Sequence, residues 1–160
     1  MDHIWSPWRM SYMRDSNPPA GCIFCEALVK TDGVENLIIH RGQSAFVILN
    51  RYPYTSGHVM VVPNLHVSTL GELPSEVLAE VLALVQQSIQ AINAVYMPEG
   101  YNVGANLGAV AGAGIAQHIH FHVVPRWGGD TNFMTTISEA RVLPEELCDT
   151  LTHLRAAWPA

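Results

Sequence analysis

Short apolar runs bounded by turn residues fill the first part of the chain. Residues 34–40 and 44–50 (SAFVILN) read as two strands joined by the turn Arg41-Gly42-Gln43. The polar, proline-containing stretch from Arg51 to Gly57 reads as a loop. A third strand, His58-Val59-Met60-Val61-Val62-Pro63, stops at its proline, which has no N–H to offer a ladder. The period then changes. Leu73-Pro74-Ser75-Glu76 opens a helix in which Val77, Leu78, Val81, Leu82, Val85, Ile89 and Ile92 recur at helical spacing to about Tyr96, before Pro98 and Gly100 end it. Two more strands are expected over residues 101–105 and 117–125, with a glycine-alanine loop over 106–114 between them. A last helix is expected from near residue 144 to about 157. This order predicts one α+β domain, an antiparallel sheet of about five strands with a long helix and a C-terminal helix. Residues 1–20 form an N-terminal arm, expected to pack on the body through Trp5, Trp8, Met10 and Tyr12.

Composition narrows the classes of function. The chain has 160 residues, 49% of them hydrophobic and 14% charged, which suits a single globular domain with its own core. Its formal net charge of −6 argues against a general nucleic-acid binder, which would display a basic face. No apolar run reaches the ~18 residues of a membrane span. The start, MDHIWSPWRM, carries an acid, a histidine and tryptophans where a signal peptide shows a basic head and an apolar run. A cytoplasmic protein is expected.

Histidine is the residue type that stands out. The chain holds as many histidines as lysines and arginines together, eight of each. Three of them occupy alternate positions in His118-Ile119-His120-Phe121-His122. On a strand, alternation puts His118, His120 and His122 on one face and turns Ile119, Phe121 and Val123 to the core. Solvated strand histidines are the bland alternative, but histidine is a poor strand filler and three in register are hard to explain that way. Such a set can bind metal or carry out phosphoryl chemistry. The small residues of Gly104–Gly114 just upstream can bring backbone N–H groups close to a phosphate, which an acidic protein needs.

The three cysteines are Cys22, Cys25 and Cys148, an odd number that disfavours a disulfide framework. Cys22-Ile23-Phe24-Cys25 is either half of a metal site or a redox pair. Redox pairs usually open a helix after a strand. Here the pair follows the turn Asn17-Pro18-Pro19-Ala20-Gly21, so metal is the better reading.

HIHFHVV, residues 118–124, resembles the His-φ-His-φ-His-φ-φ pattern of the histidine-triad family of nucleotide hydrolases and transferases. The resemblance extends through FVILNRYPYTSGHVMVVPNLH, the helix after it and GYNVGANLG, in the family's order. WSPWRMSYM near the start and VPRWGGDTNFM after the triad resemble its diadenosine tetraphosphate phosphorylase-like branch. The resemblance implies that His120 is the nucleophile, attacking the α-phosphorus to give a nucleotidyl-histidine that water or phosphate resolves. It implies that His122 contacts the phosphate and assists the leaving group, that Asn50 binds ribose and that Asn106 contacts the phosphate region. Many members have serine or glutamine where Ile115 and Ala116 stand here. Leaving-group contacts then fall to backbone N–H groups of Gly112, Gly114 and Ile115 and their neighbour, or to Gln117. Related uridylyltransferases pair Cys-x-x-Cys with two histidine positions, implying one structural zinc per chain on Cys22, Cys25, His66 and His118. His3, His40 and His58 stay as other possible ligands.

The reading is therefore an enzyme that cleaves dinucleoside polyphosphates, with no organic cofactor. A nucleoside phosphoramidate hydrolase using the same His120 is the alternative within the class. A zinc-stabilised nucleotide-binding protein without turnover is the alternative outside it. A homodimer is expected, because Ala79, Leu84 and Ala91 lie off the main stripe of the long helix and offer a second apolar side.

Overall fold

A computed structural model describes residues 21–130 and 145–159. Residues 1–20, read as an N-terminal arm, and the last four residues of VPRWGGDTNFM (131–134) lie outside the described residues. The elements are α1 (Ile23–Val29), β1 (Ile38–Arg41), β2 (Ala45–Leu49), β3 (Val59–Pro63), α2 (Ser75–Tyr96), β4 (Gly100–Gly104), β5 (Phe121–Arg126) and α3 (Leu147–Ala156). The five strands form one antiparallel sheet in the order β1-β2-β3-β5-β4, as the α+β reading expected. AFVIL and VMVVP are buried along their whole length, which continuous apolar runs require of central strands covered on both faces. Helix α2 lies across β2, β3 and β5, and α3 packs on α2 and β1. Phe46, Val61, Val81 and Ile92 sit at the centre of the core between them.

Side chains from α2 fix two turns of the sheet. Glu80 accepts the Gln43 and Ser44 N–H groups at 2.5 and 2.8 Å, locking the β1–β2 turn onto the helix. Gly57 stands with φ +76° only 3.1 Å, from where a Cβ would be, to the Tyr96 ring, so both the backbone and the space demand glycine.

Several expectations are corrected. The first strand begins at Ile38, not residue 34, because Asn36 folds the chain locally: its Oδ1 accepts the N–H groups of Gly33 and Ile38 at 3.1 and 3.2 Å. The third strand starts one residue later than expected, at Val59, and the last helix at Leu147. Helix α1, which Cys22 precedes and Cys25 sits within, was not expected at all. The fifth strand begins only at Phe121, so His118 and His120 lie ahead of it. Pro63 has no N–H to extend the ladder and spends its carbonyl on the His118 ring, while the Ile119 N–H turns to the Val67 carbonyl at 2.7 Å. Ile119 accordingly packs with Leu73 and Val77 in a small cluster separate from the main core.

Leu84 and Ala91 are buried in this chain's own core and offer nothing to a partner, whereas Ala79 is exposed, as is Leu82 on the same helix. No unbroken apolar run of about 18 residues occurs, but one helix is long and apolar enough for a membrane span when judged by mean hydropathy. The 22-residue α2 passes by length and composition, although Val77, Val81, Val85 and Ile92 of its buried face are covered by this fold.

Candidate active site and metal centre

The histidine run is held by backbone groups at every step. The His118 ring donates from Nε2 to the Pro63 carbonyl at 2.9 Å. That bond leaves Nδ1 of His118 as the nitrogen with a lone pair. Two residues on, the His120 ring donates from Nδ1 to the His118 carbonyl at 2.8 Å, which leaves Nε2 as its lone-pair nitrogen. Burial pushes both imidazoles below the ordinary histidine range, and for both the backbone acceptor opposes that push. His120 is therefore a buried, neutral imidazole with its proton fixed on one nitrogen and a nucleophilic lone pair on the other. His122 follows on β5, opposite Met60 and Gly104, with its ring centroid 5.0 Å from that of His120.

A fourth histidine completes the array. His58, fully buried at the entrance of β3, accepts the Tyr54 N–H on Nδ1 at 3.1 Å. Its proton must then sit on Nε2, and that group donates to Nδ1 of His122 at 2.9 Å. His122 in turn keeps its own proton on Nε2. The relay from a backbone amide thus sets the tautomer of the last triad histidine, with the Tyr54 ring tilted against His58 and stacked on His122. Sequence reading placed His58 only among spare metal ligands. The signal that could have found its role is the strand pairing that sets Val59 opposite Val123, which brings the two histidines side by side.

Burial first, and the neighbouring His122 and His120 after it, hold the His58 imidazole well below its ordinary range. Above the unfolded-state value near ~6.5 both states are neutral there, and folding is insensitive to pH. Below it the unfolded chain takes a proton that the folded chain refuses, so stability falls by up to about 1.4 kcal/mol per pH unit for this one site, until the folded pKa is passed. Denaturant titrations between pH 7 and pH 5 should show this acid slope, and His58→Gln should make it shallower. An unchanged slope in that variant would show that His58 is not the group responsible.

The four residues expected to ligate a metal converge. Nδ1 of His118 lies 3.2 Å from Cys22 Sγ and 3.7 Å from Cys25 Sγ, and Cys25 Sγ lies 3.2 Å from Nδ1 of His66. The four ligand atoms all fall within 4.8 Å of one another. A tetrahedron with bonds of ~2.0–2.3 Å has edges of roughly 3.3–3.8 Å, so these sulfur–nitrogen separations suit a zinc-sized ion. The donor chemistry fits as well: His118 presents Nδ1 because its other nitrogen is tied to Pro63, as a metal-bound imidazole requires. Burial, and the second thiol beside it, push the Cys25 thiol above its ordinary range, a penalty that a bound cation would reverse. Of the spare candidates, His40 stacks on Trp158 and His58 belongs to the relay; neither joins the cluster. His3 lies outside the described residues.

The expected nucleotide contacts are placed unevenly. Asn50 sits beside the relay, its Oδ1 accepting the Tyr52 N–H at 2.9 Å and its amide nitrogen 3.4 Å from Nδ1 of His58. Asn106 is half-buried at the start of the loop. The loop itself is a 3-10 turn, Ala109–Ala111, flanked by Gly108 and Gly112 at φ +82° and +89°, where only glycine is comfortable. Gly112 and Ala113 spend their N–H groups within it, on the carbonyls of Ala109 and Gly108. Those two N–H groups are thereby committed to the turn itself.

The HIT domain family model matches residues 33–129. An AP-4-A phosphorylase of Mycobacterium tuberculosis (strain ATCC 25618 / H37Rv) is 43% identical over 99% of this chain and 85% of its own length. An adenosine 5'-monophosphoramidase of Schizosaccharomyces pombe (strain 972 / ATCC 24843) is 31% identical over 79% of this chain and 90% of its own. Among solved structures, a zinc-bound histidine triad family protein from Mycobacterium smegmatis matches with a TM-score of 0.68 at 30% identity, covering 85% of this chain and 91% of that one.

Proposed function

Because the chain is a member of the HIT domain family, we propose that it cleaves dinucleoside polyphosphates of the diadenosine tetraphosphate type, with His120 as nucleophile. The observation that carries this is the neutral His120 imidazole, its Nδ1–H committed to the His118 carbonyl. Nε2 attacks the α-phosphorus, a P–N bond forms, and the P–O bond to the departing polyphosphate breaks. His122, held by His58 with its proton on Nε2, donates toward the oxygen that leaves. Inorganic phosphate, or water, then attacks the same phosphorus and returns the electron pair to His120. Asn50 and Asn106 contact ribose and phosphate; Gly112 serves the loop's shape, and Gly114, Ile115 and Gln117 its contacts. The likeness to a phosphorylase favours phosphate as the acceptor.

The deciding experiment incubates the protein with diadenosine tetraphosphate, with and without phosphate. ADP and ATP formed only with phosphate support phosphorolysis; AMP and ATP mean hydrolysis; no turnover leaves a binding protein. The second reading, a phosphoramidate hydrolase, rests on the likeness to the monophosphoramidase. It predicts faster release of AMP from an adenosine phosphoramidate than any cleavage of the tetraphosphate.

Cys22, Cys25, His66 and His118 hold one zinc, which ties α1 and the β3–α2 loop to the triad segment as a structural cross-link. Paired free thiols suit the reducing cytoplasm. The protein works as a homodimer: β4 is an edge strand with exposed Asn102, Val103 and Gly104, and Leu82 on α2 is exposed too. Light scattering at micromolar concentration should give twice the 17.6 kDa chain mass, and Val103→Lys should shift the species to a monomer. A wild-type monomer at that concentration overturns the dimer.

A further inference from the structure

The Cys-x-x-Cys segment reaches the nucleophile as well as the metal cluster. Phe24, between the two cysteines, is almost completely buried. Its ring centroid lies 5.4 Å from that of His118, edge-on at 77°. It lies 5.0 Å from that of His120, tilted at 49°. Among the described residues the polar restraint on the His120 imidazole is the Nδ1–H bond to the His118 carbonyl, which holds one edge of the ring and leaves its tilt about Cβ–Cγ to packing. A flat aromatic ring against the imidazole removes that freedom. Both restraints come from the cluster: His118 is one ligand, and Phe24 is carried between two others.

We propose that Phe24 is a positioning residue that holds the plane of the His120 imidazole, with the Cys22–Cys25 segment as its mount. This rests on His120 being the nucleophile. In-line attack on phosphorus needs the Nε2 lone pair aligned, and a misplacement of about 1 Å can cost on the order of a hundredfold in rate. Cysteine spacing explains why a metal half-site is here; it does not explain an aromatic ring buried against the reacting imidazole.

The test compares Phe24→Leu with Phe46→Leu in the metal-loaded protein. Phe46 is equally buried but lies in β2 within the main core, so it reports what loss of a core ring does to stability alone. With diadenosine tetraphosphate, Phe24→Leu should lower kcat roughly tenfold to a hundredfold while KM stays within about twofold and metal content is unchanged. Phe46→Leu should lose comparable thermal stability and keep kcat within about twofold. Phe24→Tyr, which retains the ring, should recover most of the rate. If Phe24→Leu does not fold, Phe24→Met is closer in volume and takes its place. Equal kcat in the Phe24 and Phe46 variants overturns the proposal, and so does loss of metal from the Phe24 variant, which would make the ring a support of the cluster. If His120→Ala retains turnover, the nucleophile reading fails instead. If His120→Ala is dead and Phe24→Leu is fully active, only the present inference fails.

Discussion

His120→Ala should reduce kcat by at least about a thousandfold while nucleotide affinity stays close to that of the unaltered protein. The size follows from the role: a covalent nucleophile acts in the chemical step, so its removal leaves ground-state binding in place and takes away the reaction path. The structure sharpens the expectation. His120 is neutral because burial disfavours its charged form, and its lone pair is defined because the His118 carbonyl holds Nδ1–H. No neighbouring histidine can substitute. His118 has one nitrogen on Pro63 and the other in the thiol cluster, and His122 carries its proton on Nε2 because His58 donates to its Nδ1. His120→Asn should be as inactive as the alanine variant. His122→Ala should cost less, about a hundredfold for a good leaving group, with the nucleotidyl-enzyme still forming. Retention of a tenth or more of kcat by His120→Ala would sink the assignment. Acid-labile label from an α-phosphorus-labelled substrate, present in the unaltered protein and absent in His120→Ala, checks it independently.

The periodic part of the fold was legible in the sequence. The helix Ser75–Tyr96 was read at its observed bounds because its apolar stripe, the Leu73-Pro74-Ser75 start and the Pro98 stop agree with one another. The buried strands β2 and β3 were read for the same reason. Misreadings cluster where single side chains override the pattern. Asn36 captures two N–H groups, which puts Val34 in a turn and leaves Leu37 at φ +58° just ahead of the strand. Pro63 ends the ladder and leaves His118 and His120 outside the strand that the alternation predicted. Helix α1 is seven residues long, too short for periodicity to announce it, and depends on Phe24 and Ala27 docking into the core. At the site, the Cys22–Cys25 half-site and the three alternating histidines were readable from residue type and spacing, whereas His66 and His118 as the remaining expected ligands followed from the family resemblance. The relay was not. His58 and Tyr54 are distant from His122 in sequence, and only the β3–β5 pairing brings them together.

Stripping the metal should lower the melting temperature by roughly 10 °C and reduce turnover with it. Cys22 and His118 are 96 residues apart in sequence and Cys25 and His66 are 41 apart, so the cluster closes long loops. A cross-link over about 100 residues is worth on the order of 4–5 kcal/mol when it constrains the unfolded chain. For a chain of this size each kcal/mol moves the midpoint by about 2–4 °C. Apart from His118, which is buried and bonded to the Pro63 carbonyl, the cluster is lightly held: His66 is exposed on a loop, and both thiols sit at the start of the short helix α1. Arg41 and Asn36 clamp the far end of that helix through the carbonyls of Ala27, Leu28 and Lys30. Loss of the ion should therefore loosen the cysteine end first, along with the His118 segment that carries the acceptor for His120. Protein purified without a histidine tag should contain one zinc per chain. Chelation, and separately Cys25→Ser, should lower both the midpoint and kcat, and zinc should restore both in the chelated protein. Finding no metal, with both thiols freely titrating and a midpoint indifferent to chelator, would leave the Cys22, Cys25, His66 and His118 cluster as a hydrogen-bonded group only.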